Sequence, residues 1–268
     1  MAKPLLSDGL WEAIEPLLPK WTPGPKGGQP PISDRAALTG ILFILKTGLP
    51  WEDLPCEMDC GCGMSRWRRL RDWPLDGTWD KIQKILLDRS RGADKIAWER
   101  APIDSSFVRA AYGGAATGPS PVDRSKPGSE HHVITDANGI PLASSVTSAN
   151  TNDITEMAPL FDKLPEVAGK VGHPRKEPDA LQGDLAYDSE PHRRGLKQMG
   201  IEPVLPEKEI DDQSGLGETR WPVERTLAWI HQNRRLRIRY ERRPDIHQAL
   251  LTLACIKICA SALFGGFC

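Results

Sequence analysis

The sequence predicts an α/β fold, in which a helical N-terminal module precedes a mixed sheet flanked by helices. Apolar residues recur at helical spacing up to about residue 92, whereas short β-type runs begin near residue 97. An Asn138-Gly139 pair between two β-type runs is the strongest hairpin signal in the chain. Later β-type runs alternate with helical ones, which is typical of a sheet covered by helices. These observations divide the 268 residues into two domains, 1–92 and 93–268.

The N-terminal module is predicted to consist of short amphipathic helices. Residues 5–19 have helical spacing and end in proline, and Asp34 is expected to cap a second helix that ends at Gly48. Residues 65–90 give a further helical stretch, which an internal proline and glycine divide in two. Helices of this length and spacing are compatible with a helix-turn-helix, an arrangement used for DNA binding.

The second domain is predicted to alternate strands and helices. A β-type run covers residues 97–110, and the hairpin follows within residues 131–150. The remaining predicted elements are a helix at 153–169, a strand at 179–189, a helix at 191–200, a strand at 201–208 and a helix at 221–239. The last of these helices is predicted to begin near Pro222, because proline is favoured in the first turn of a helix.

The net charge of −1 hides an uneven distribution along the chain. Residues 1–103 carry a balance of +1, residues 104–219 a balance of −8 and residues 220–268 a balance of +6. Near-neutrality therefore does not exclude a nucleic-acid partner, since a basic segment follows an acidic one. The composition, with 39% hydrophobic residues, disfavours a collagen-like, coiled-coil or largely disordered chain.

Two further features are expected to be structural. The apolar segment from Ala249 to Phe267 has Lys257 in its middle, which favours a buried helix over a membrane span. The six cysteines are expected to be reduced cytosolic thiols rather than a disulfide framework. Cys56, Cys60 and Cys62 have a spacing that is unusual for a zinc site.

Three carboxylates are candidates for catalysis by their positions. Asp104 lies within an apolar β-type run, where a buried acid is costly without a partner such as a metal ion. Asp184 lies where a later strand ends, and Glu224 lies near the start of the last predicted helix before the apolar segment. If the two strands are neighbours, the three side chains converge into an all-oxygen cluster that suits Mg²⁺. The alternative is that each is an ordinary strand-end or first-turn residue.

Two arginine-rich segments with nearby aromatic residues predict contacts with nucleic acid. One lies in the candidate helix-turn-helix, and the other directly follows the helix that bears Glu224. Arginine suits bidentate phosphate contacts, and tryptophan and tyrosine offer stacking surfaces. The alternative is a solvated charged face. The expected DNA contacts in the two segments are Arg66, Arg68, Arg69, Arg71, Arg234, Arg235, Arg237 and Arg239.

Several motifs, in their order along the chain, resemble those of one known family. They are GGQPPISDRAALTGILFILKTGLPWEDLP, SRWRRLRDWPLDGTWDKI, PIDSSFVRA, DRSKPGSEHHVITDANGIPLASSVTSANTND, GDLAYDS and RWPVERTLAWIHQNRRLRIRYERR. The chain resembles, from about Ser7 to Ile258, the DDE transposases of bacterial insertion sequences, in the insertion-sequence-five family. The resemblance implies a ribonuclease H-like catalytic domain after a DNA-binding helical module.

The resemblance assigns catalytic roles residue by residue. The family's two aspartates match Asp104 and Asp184, and its glutamate matches Glu224. This implies a triad that holds Mg²⁺ or Mn²⁺, with two ions per site.

The match to the family's Tyr, Arg, Glu, Lys signature is partial. Arg220 and Glu224 keep the second and third members, whereas Gly217 stands at the Tyr position and His231 at the Lys position. These departures bear on contacts with DNA ends rather than on metal binding. Arg220 and His231 are expected to contact DNA, with Arg235 as the substitute for the missing lysine.

Residues around the hairpin also match family motifs beside the active site. Lys126 precedes the hairpin and is expected to contact DNA. For His131 and His132 three roles stay open, as metal ligands, strand residues or phosphate contacts. The motif that follows the hairpin contains Asn150, Asn152 and Asp153.

The resemblance implies a transposase that acts on the terminal inverted repeats of its own element. Its partners would be the double-stranded DNA of the element ends and the target, bound by a homodimer or larger assembly. It would work in the cytoplasm at the nucleoid, without a membrane. The alternatives are a DNA-binding regulator without catalysis and a nuclease that lacks strand transfer. An interaction scaffold built on the proline-rich loop at residues 22–31 is disfavoured, because that loop lacks a clear PxxP pattern.

Overall fold

The structure is a computed structural model that describes residues 4–22, 31–206 and 216–265, with side chains from residue 219 onward in the last range. Two predicted features lie partly outside the described residues, namely the proline-rich loop and the end of the strand predicted at 201–208. Of Gly217 only the helical backbone is described. The N-terminal region contains the helices α1 (Asp8–Ile14), α2 (Asp34–Thr47), α3 (Gly63–Leu75) and α4 (Thr78–Gly92).

Local sequence explains where these helices begin and end. The Ser33 hydroxyl accepts a hydrogen bond from the Ala36 amide, so Ser33 caps α2 and Asp34 is its first residue, which corrects the predicted cap. Gly48 ends the helix with a φ of 75°, as predicted, because glycine adopts this left-handed conformation without strain. The division of residues 65–90 is also confirmed, with Gly77 at a φ of 65° between α3 and α4.

The second part of the chain forms a seven-stranded mixed sheet covered by helices, which confirms the predicted class. Its strands are β1 (Ala101–Ala110), β2 (Gly118–Pro119), β3 (Pro127–Thr135), β4 (Pro141–Ser148), β5 (Ala180–Gln182), β6 (Glu202–Val204) and β7 (Ile238–Arg239). Its helices are α5 (Asp153–Asp162), α6 (Glu190–Gln198), α7 (Leu216–His231) and α8 (Pro244–Phe264).

The sheet has the order β2-β3-β1-β5-β6, with β4 paired to β3 and β7 to β1. Strand β1 is antiparallel to β3 and parallel to β5, and β5 is parallel to β6. The strand that bears Asp104 and the strand that precedes Asp184 are therefore neighbours in the sheet, as the convergence of the acids requires. Helix α7 packs on β1 and β3, and α5 packs on β3 and β4.

The predicted hairpin connects β3 to β4. The Asp136 carboxylate accepts hydrogen bonds from the amides of Asn138 and Ile140, which holds the turn together. Gly139 has a φ of 84°, and a Cβ there would lie 2.9 Å from the Pro222 carbonyl oxygen of α7. Glycine is required at this position both for its conformation and for the close approach of α7.

Two helix boundaries differ from the prediction. Helix α7 includes Leu216, so Pro222 lies inside it rather than at its first turn, and the helix ends at His231 instead of residue 239. The Asn233 side-chain amide donates to the Ile230 carbonyl oxygen, one of the carbonyl groups that lack a partner within the last turn of a helix. Helix α5 ends at Asp162 rather than 169, because Pro165 disfavours helical backbone at the residue before it.

Helix α8 is the buried centre of the fold. Among the described residues, α8 is the one helix that is long and apolar enough to span a membrane. However, 72% of its apolar 18-residue stretch is buried inside the protein. It packs on α4 and β4 and also contacts α1, α2 and α3. The predicted buried helix is therefore confirmed, and the apolar core is continuous between the helical region and the sheet.

A buried ion pair joins the segment after α7 to the N-terminal helices. Arg235 donates to the Glu241 carboxylate at 2.8 Å, and both side chains are less than a tenth exposed. The same guanidinium donates to the carbonyl oxygens of Gly48 and Leu49, at the end of α2. Removal of one partner would leave an uncompensated buried charge.

We expect Arg235→Ala to lower the free energy of unfolding by about 3 to 5 kcal/mol, because it strands the Glu241 carboxylate. Chemical denaturation measures this change. The neighbouring Arg234 is exposed, so Arg234→Ala serves as the control and should change stability by less than about 0.5 kcal/mol. Equal stability of the two variants would contradict the structural role of Arg235.

Candidate active site

The parallel pairing of β1 with β5 brings Asp104 and Asp184 to the same level of the sheet. Ala101 pairs with Leu181, and each aspartate lies three residues beyond its member of that pair. Asp104 is inside β1, whereas Asp184 lies just beyond β5 and caps a short 3-10 helix by accepting from the Ala186 amide at 2.9 Å. The predicted position at a strand end is therefore confirmed for Asp184.

Helix α7 carries Glu224 over this part of the sheet. Arg220, one turn earlier on the same helix, lies between two of the carboxylates. Its guanidinium contacts Glu224 Oε1 at 3.0 Å and Asp184 Oδ2 at 3.4 Å. Asp104 lies close enough for its charge to act on Arg220. Two of the three predicted carboxylates thus contact one guanidinium, and the third lies close enough for the charges of all four groups to interact.

The electrostatics of the cluster centre on Asp104. Burial raises the pKa of Asp104 to about 6, and the charges of Asp184 and Glu224 act in the same direction. The Ser105 amide, which donates to Asp104 at 2.9 Å, and the charge of Arg220 oppose that rise. One arginine therefore balances three acids only in part, and the site retains excess negative charge.

The residues fit a hard divalent cation. All three side chains offer carboxylate oxygens, the ligands that Mg²⁺ and Mn²⁺ prefer. Asp184 and Glu224 are 38% and 49% exposed, so substrate and water can reach them. A half-buried acid beside two others is also the kind of group that a cation stabilises in its ionised form.

The predicted DNA-contact residues divide by exposure. Arg68, Arg234 and Arg237 are exposed. Five members are half-buried, namely Arg69, Arg71, Lys126, Arg220 and His231. The first three form ion pairs, Arg69 with Asp34, Arg71 with Asp72 and Lys126 with Asp123. The buried members are Arg66, Arg235 and Arg239.

The three buried arginines correct the sequence expectation. Arg239 is 1% exposed, and its guanidinium donates to the Ser129 hydroxyl and to carbonyl oxygens that include that of Ala116. Arg235 is used by the ion pair to Glu241, and Arg66 is buried beside α2. A guanidinium that is surrounded by protein cannot contact DNA in this fold, so these three have structural roles.

The two predicted arginine segments meet in space. The guanidinium groups of Arg71 in α3 and Arg243 before α8 lie 5.6 and 5.8 Å from the centre of the same Trp67 ring. Arginine over an aromatic face is a stabilising arrangement. The segments thus form one basic surface, although they are far apart in the sequence.

His231 points into the protein instead of away from it. Its Nε2 lies 3.3 Å from His131 Nδ1, and His131 Nε2 lies 2.8 Å from His247 Nε2. Burial lowers the pKa of all three imidazoles. A neutral, inward histidine therefore does not reproduce the charge of the lysine that the family signature has at this position, and strand and helix packing is the role that the structure gives His131.

A second cluster was only partly anticipated. Among the residues that the structure describes, Glu130, His132 and Asp153 have ligand atoms that all lie within 4.8 Å of one another. The sequence motifs pointed to His132 and Asp153 but not to Glu130. The alternation Glu130-x-His132 along β3 was the available signal, because residues two apart on a strand share a face.

The three cysteines whose spacing is unusual for a zinc site differ in exposure. Cys60 is buried, while Cys56 and Cys62 are exposed.

Two family models match the chain. The model described as "Putative transposase of IS4/5 family" matches residues 6–83, and the model described as "Transposase DDE domain" matches residues 99–258. The predicted domain boundary between residues 92 and 93 falls between these ranges and stays a prediction.

Two known proteins with similar sequences come from one insertion element. The "Putative transposase for insertion sequence element IS402" of Burkholderia cepacia is 53% identical over 152 residues, which are 57% of this chain and 72% of the relative. The "Insertion element IS402 uncharacterized 16.2 kDa protein" of the same organism is 54% identical over 123 residues, which are 45% of this chain and 84% of the relative.

A solved structure supports the fold. The cryo-EM structure of the piggyBac transposase synaptic complex with hairpin DNA has a TM-score of 0.52 at 10% identity, over 97% of this chain and 71% of that one. The likeness agrees with the predicted ribonuclease H-like class. Because transposase models match both parts of the sequence and a 53% identical relative is described as a putative insertion-sequence transposase, the chain belongs to the DDE transposases of the IS4/5 family.

Proposed function

We propose that this transposase cuts DNA at the terminal inverted repeats of its own insertion sequence and joins the freed 3′-hydroxyl to target DNA. The observation that carries the proposal is the convergence of Asp104, Asp184 and Glu224 around Arg220. Acids from two adjacent parallel strands and one covering helix form a single all-oxygen site. The sequence around each acid also matches the family motif.

The three carboxylates would hold Mg²⁺ or Mn²⁺, with two ions per site. Two bound ions supply an activated nucleophile and stabilise the leaving oxygen of an in-line phosphoryl displacement. The protein's own contribution is position and charge. The Ser105 amide holds the Asp104 carboxylate, and the Asp184 carboxylate is fixed by the Ala186 amide.

Arg220 has two proposed roles. Its contacts with Asp184 and Glu224 neutralise part of the acidic charge and keep both side chains in the site. Its planar guanidinium is also suited to a phosphate oxygen pair. Since it lies among the carboxylates, we assign Arg220 to the scissile phosphate rather than to flanking DNA.

The joined basic surface would bind the DNA backbone on either side of the cut. It comprises exposed or half-buried arginines of α3 and of the segment after α7, namely Arg68, Arg69, Arg71, Arg234, Arg237 and Arg243. Lys126 lies on a separate loop and is a further proposed contact. Because two element ends have to be joined, we propose a homodimer or larger assembly on DNA, in the cytoplasm at the nucleoid.

We expect Asp104→Asn, Asp184→Asn and Glu224→Gln each to reduce cleavage of an end-containing duplex by at least about 100-fold, since each removes charge from the site. The assay follows the release of a 3′-hydroxyl end in the presence of Mg²⁺. Glu190→Gln, on the exposed start of α6, is the matched control and should retain activity. Full activity of all three variants would refute the catalytic assignment.

Strand transfer distinguishes a transposase from a nuclease of the same fold. A pre-cut end with a 3′-hydroxyl should join to a target plasmid with the unchanged protein and should fail to join with Glu224→Gln. Cleavage without any joined product would favour the nuclease alternative.

The raised pKa of Asp104 predicts a pH dependence. With a pKa of about 6, Asp104 binds a proton as the pH falls through 6, and this proton competes with a cation. Cleavage should therefore decline below about pH 6, by about tenfold per pH unit. In metal-free protein, NMR of the carboxyl carbon should follow the titration directly. Arg220→Gln should raise that pKa further, whereas an unchanged pKa would argue against their interaction.

Exposed arginines should determine the salt dependence of DNA binding. We expect Arg68→Ala and Arg237→Ala each to reduce the slope of log K against log salt by about 1, because each removes one phosphate contact. Fluorescence anisotropy with an end-containing duplex measures the slope. Arg89→Ala, on the exposed face of α4, is the control and should leave the slope unchanged. Unchanged slopes for both test variants would show that these arginines form only a solvated face.

A further inference from the structure

A second group of potential metal ligands lies on the α5 side of the sheet. Glu130 and His132 alternate with His131 along β3, so their side chains lie on the face opposite to the one that His131 shares with α7. Asp153 is the first residue of α5, which packs on β3. His132 Nδ1 is 3.8 Å from Asp153 Oδ1, and His132 Nε2 is 3.8 Å from Glu130 Oε2.

The hydrogen bonds of His132 leave one ring nitrogen without a donor or acceptor. Its Nε2 lies 2.7 Å from the Thr147 hydroxyl, and that hydroxyl is itself 3.4 Å from the Ser148 carbonyl oxygen. When the Thr147 hydroxyl proton is directed to this carbonyl, Nε2 is the nitrogen that carries hydrogen, and the proposal uses this tautomer. His132 Nδ1 then presents a lone pair toward the Asp153 carboxylate, and two acceptors face each other.

The burial of these atoms makes the arrangement costly unless a cation is shared. The His132 side chain is 0% exposed, and among the described residues no donor is directed at its Nδ1, at Glu130 Oε2 or at Asp153 Oδ1. The Glu130 and Asp153 carboxyl groups face each other closely enough to share a proton. The fully buried hydroxyl of Tyr187, which responds to the charges of Asp153 and Glu130, also lacks a hydrogen-bond partner among the described residues. Buried polar atoms are nearly always paired, so several unpaired atoms in one place indicate a missing ligand.

We propose that Glu130, His132 and Asp153 bind one divalent transition-metal ion, separate from the ions of the catalytic carboxylates. Two carboxylates and a neutral imidazole offset the charge of a divalent ion and favour Zn²⁺ or Mn²⁺ over Mg²⁺. Ligands about 2.0 to 2.2 Å from zinc lie roughly 3.0 to 3.6 Å from one another, so the 3.8 Å separation of His132 Nδ1 from Asp153 Oδ1 needs only a small contraction. One ligand atom of Glu130 lies within 4.8 Å of those of the other two residues, and its carboxylate would have to move further. The Thr147 contact supplies the hydrogen bond that metal-binding histidines usually make with their second nitrogen.

The ion would connect β3 to the start of α5 beside the catalytic centre. Tyr187 responds to the charges of Asp153 and Glu130 and also to those of Asp104 and Asp184, so it lies near both groups of acids. The proposed role is to hold the strand and helix that flank the Asp184 loop. Metal binding at this site does not depend on the proposed DNA reaction.

The test uses the full chain with Asp104→Asn, Asp184→Asn and Glu224→Gln, which removes the catalytic carboxylates as ligands. After chelation and dialysis, isothermal titration with Zn²⁺ should give one ion per chain. Adding Asp153→Asn or His132→Gln should weaken this binding at least about tenfold. Asp162→Asn, at the exposed end of α5, is the control and should leave binding unchanged.

Two further measurements keep the test decisive if a variant folds poorly. In the triple-substituted chain, Zn²⁺ at about 100 times its Kd should raise the Tm by roughly 5 to 10 °C, and equal Mg²⁺ should not. Co²⁺ should give a visible spectrum without the thiolate charge-transfer band that cysteine ligands produce. Three outcomes would overturn the proposal: no Zn²⁺ binding, Zn²⁺ binding that survives both ligand substitutions, or a thiolate band in the Co²⁺ spectrum. If Zn²⁺ does not bind, the Glu130 and Asp153 carboxyl groups share only a proton.

Discussion

The parallel pairing of β1 with β5 is the constraint on which the rest of the catalytic centre depends. It sets Asp104 and Asp184 at one level, although 79 residues of sequence lie between them. Helix α7 can then complete the site with Glu224 because Gly139 lets the β3–β4 turn approach it closely. A register shift of one residue in β1 would turn Asp104 to the other face and leave the other two acids without their half-buried partner.

This geometry also explains why an arginine belongs in an acidic site. Asp104 is half-buried in the centre of the sheet, and its desolvation is opposed mainly by the Ser105 amide and by the charge of Arg220. A guanidinium between Asp184 and Glu224 lets the three acids come together in the folded chain. In our proposal, charge balance in the metal-free protein and recognition of a phosphate are tasks of the same side chain.

The sequence predicted what periodicity and turn chemistry control. The Asn138-Gly139 hairpin, the Gly48 helix end and the buried α8 all follow from local residues, and the three acids were found because acids are unusual where they stand. Burial of individual arginines was not predictable in this way. Arg235 and Arg239 have the same local pattern as exposed Arg234 and Arg237, and only carbonyl oxygens and Glu241 brought close by the tertiary fold distinguish them. Glu130 was missed for the same reason, since its partner Asp153 comes from another element.

The position of α8 has a consequence for how the protein is made. Translation produces α1 to α4 first, yet the helix that covers α4 and touches the other three is the last helix of the described chain. The N-terminal helices therefore leave the ribosome with an exposed apolar face and complete their core only after the sheet has been synthesised. The proposed DNA-binding surface and the proposed catalytic carboxylates thus become available together, only once α8 has been made.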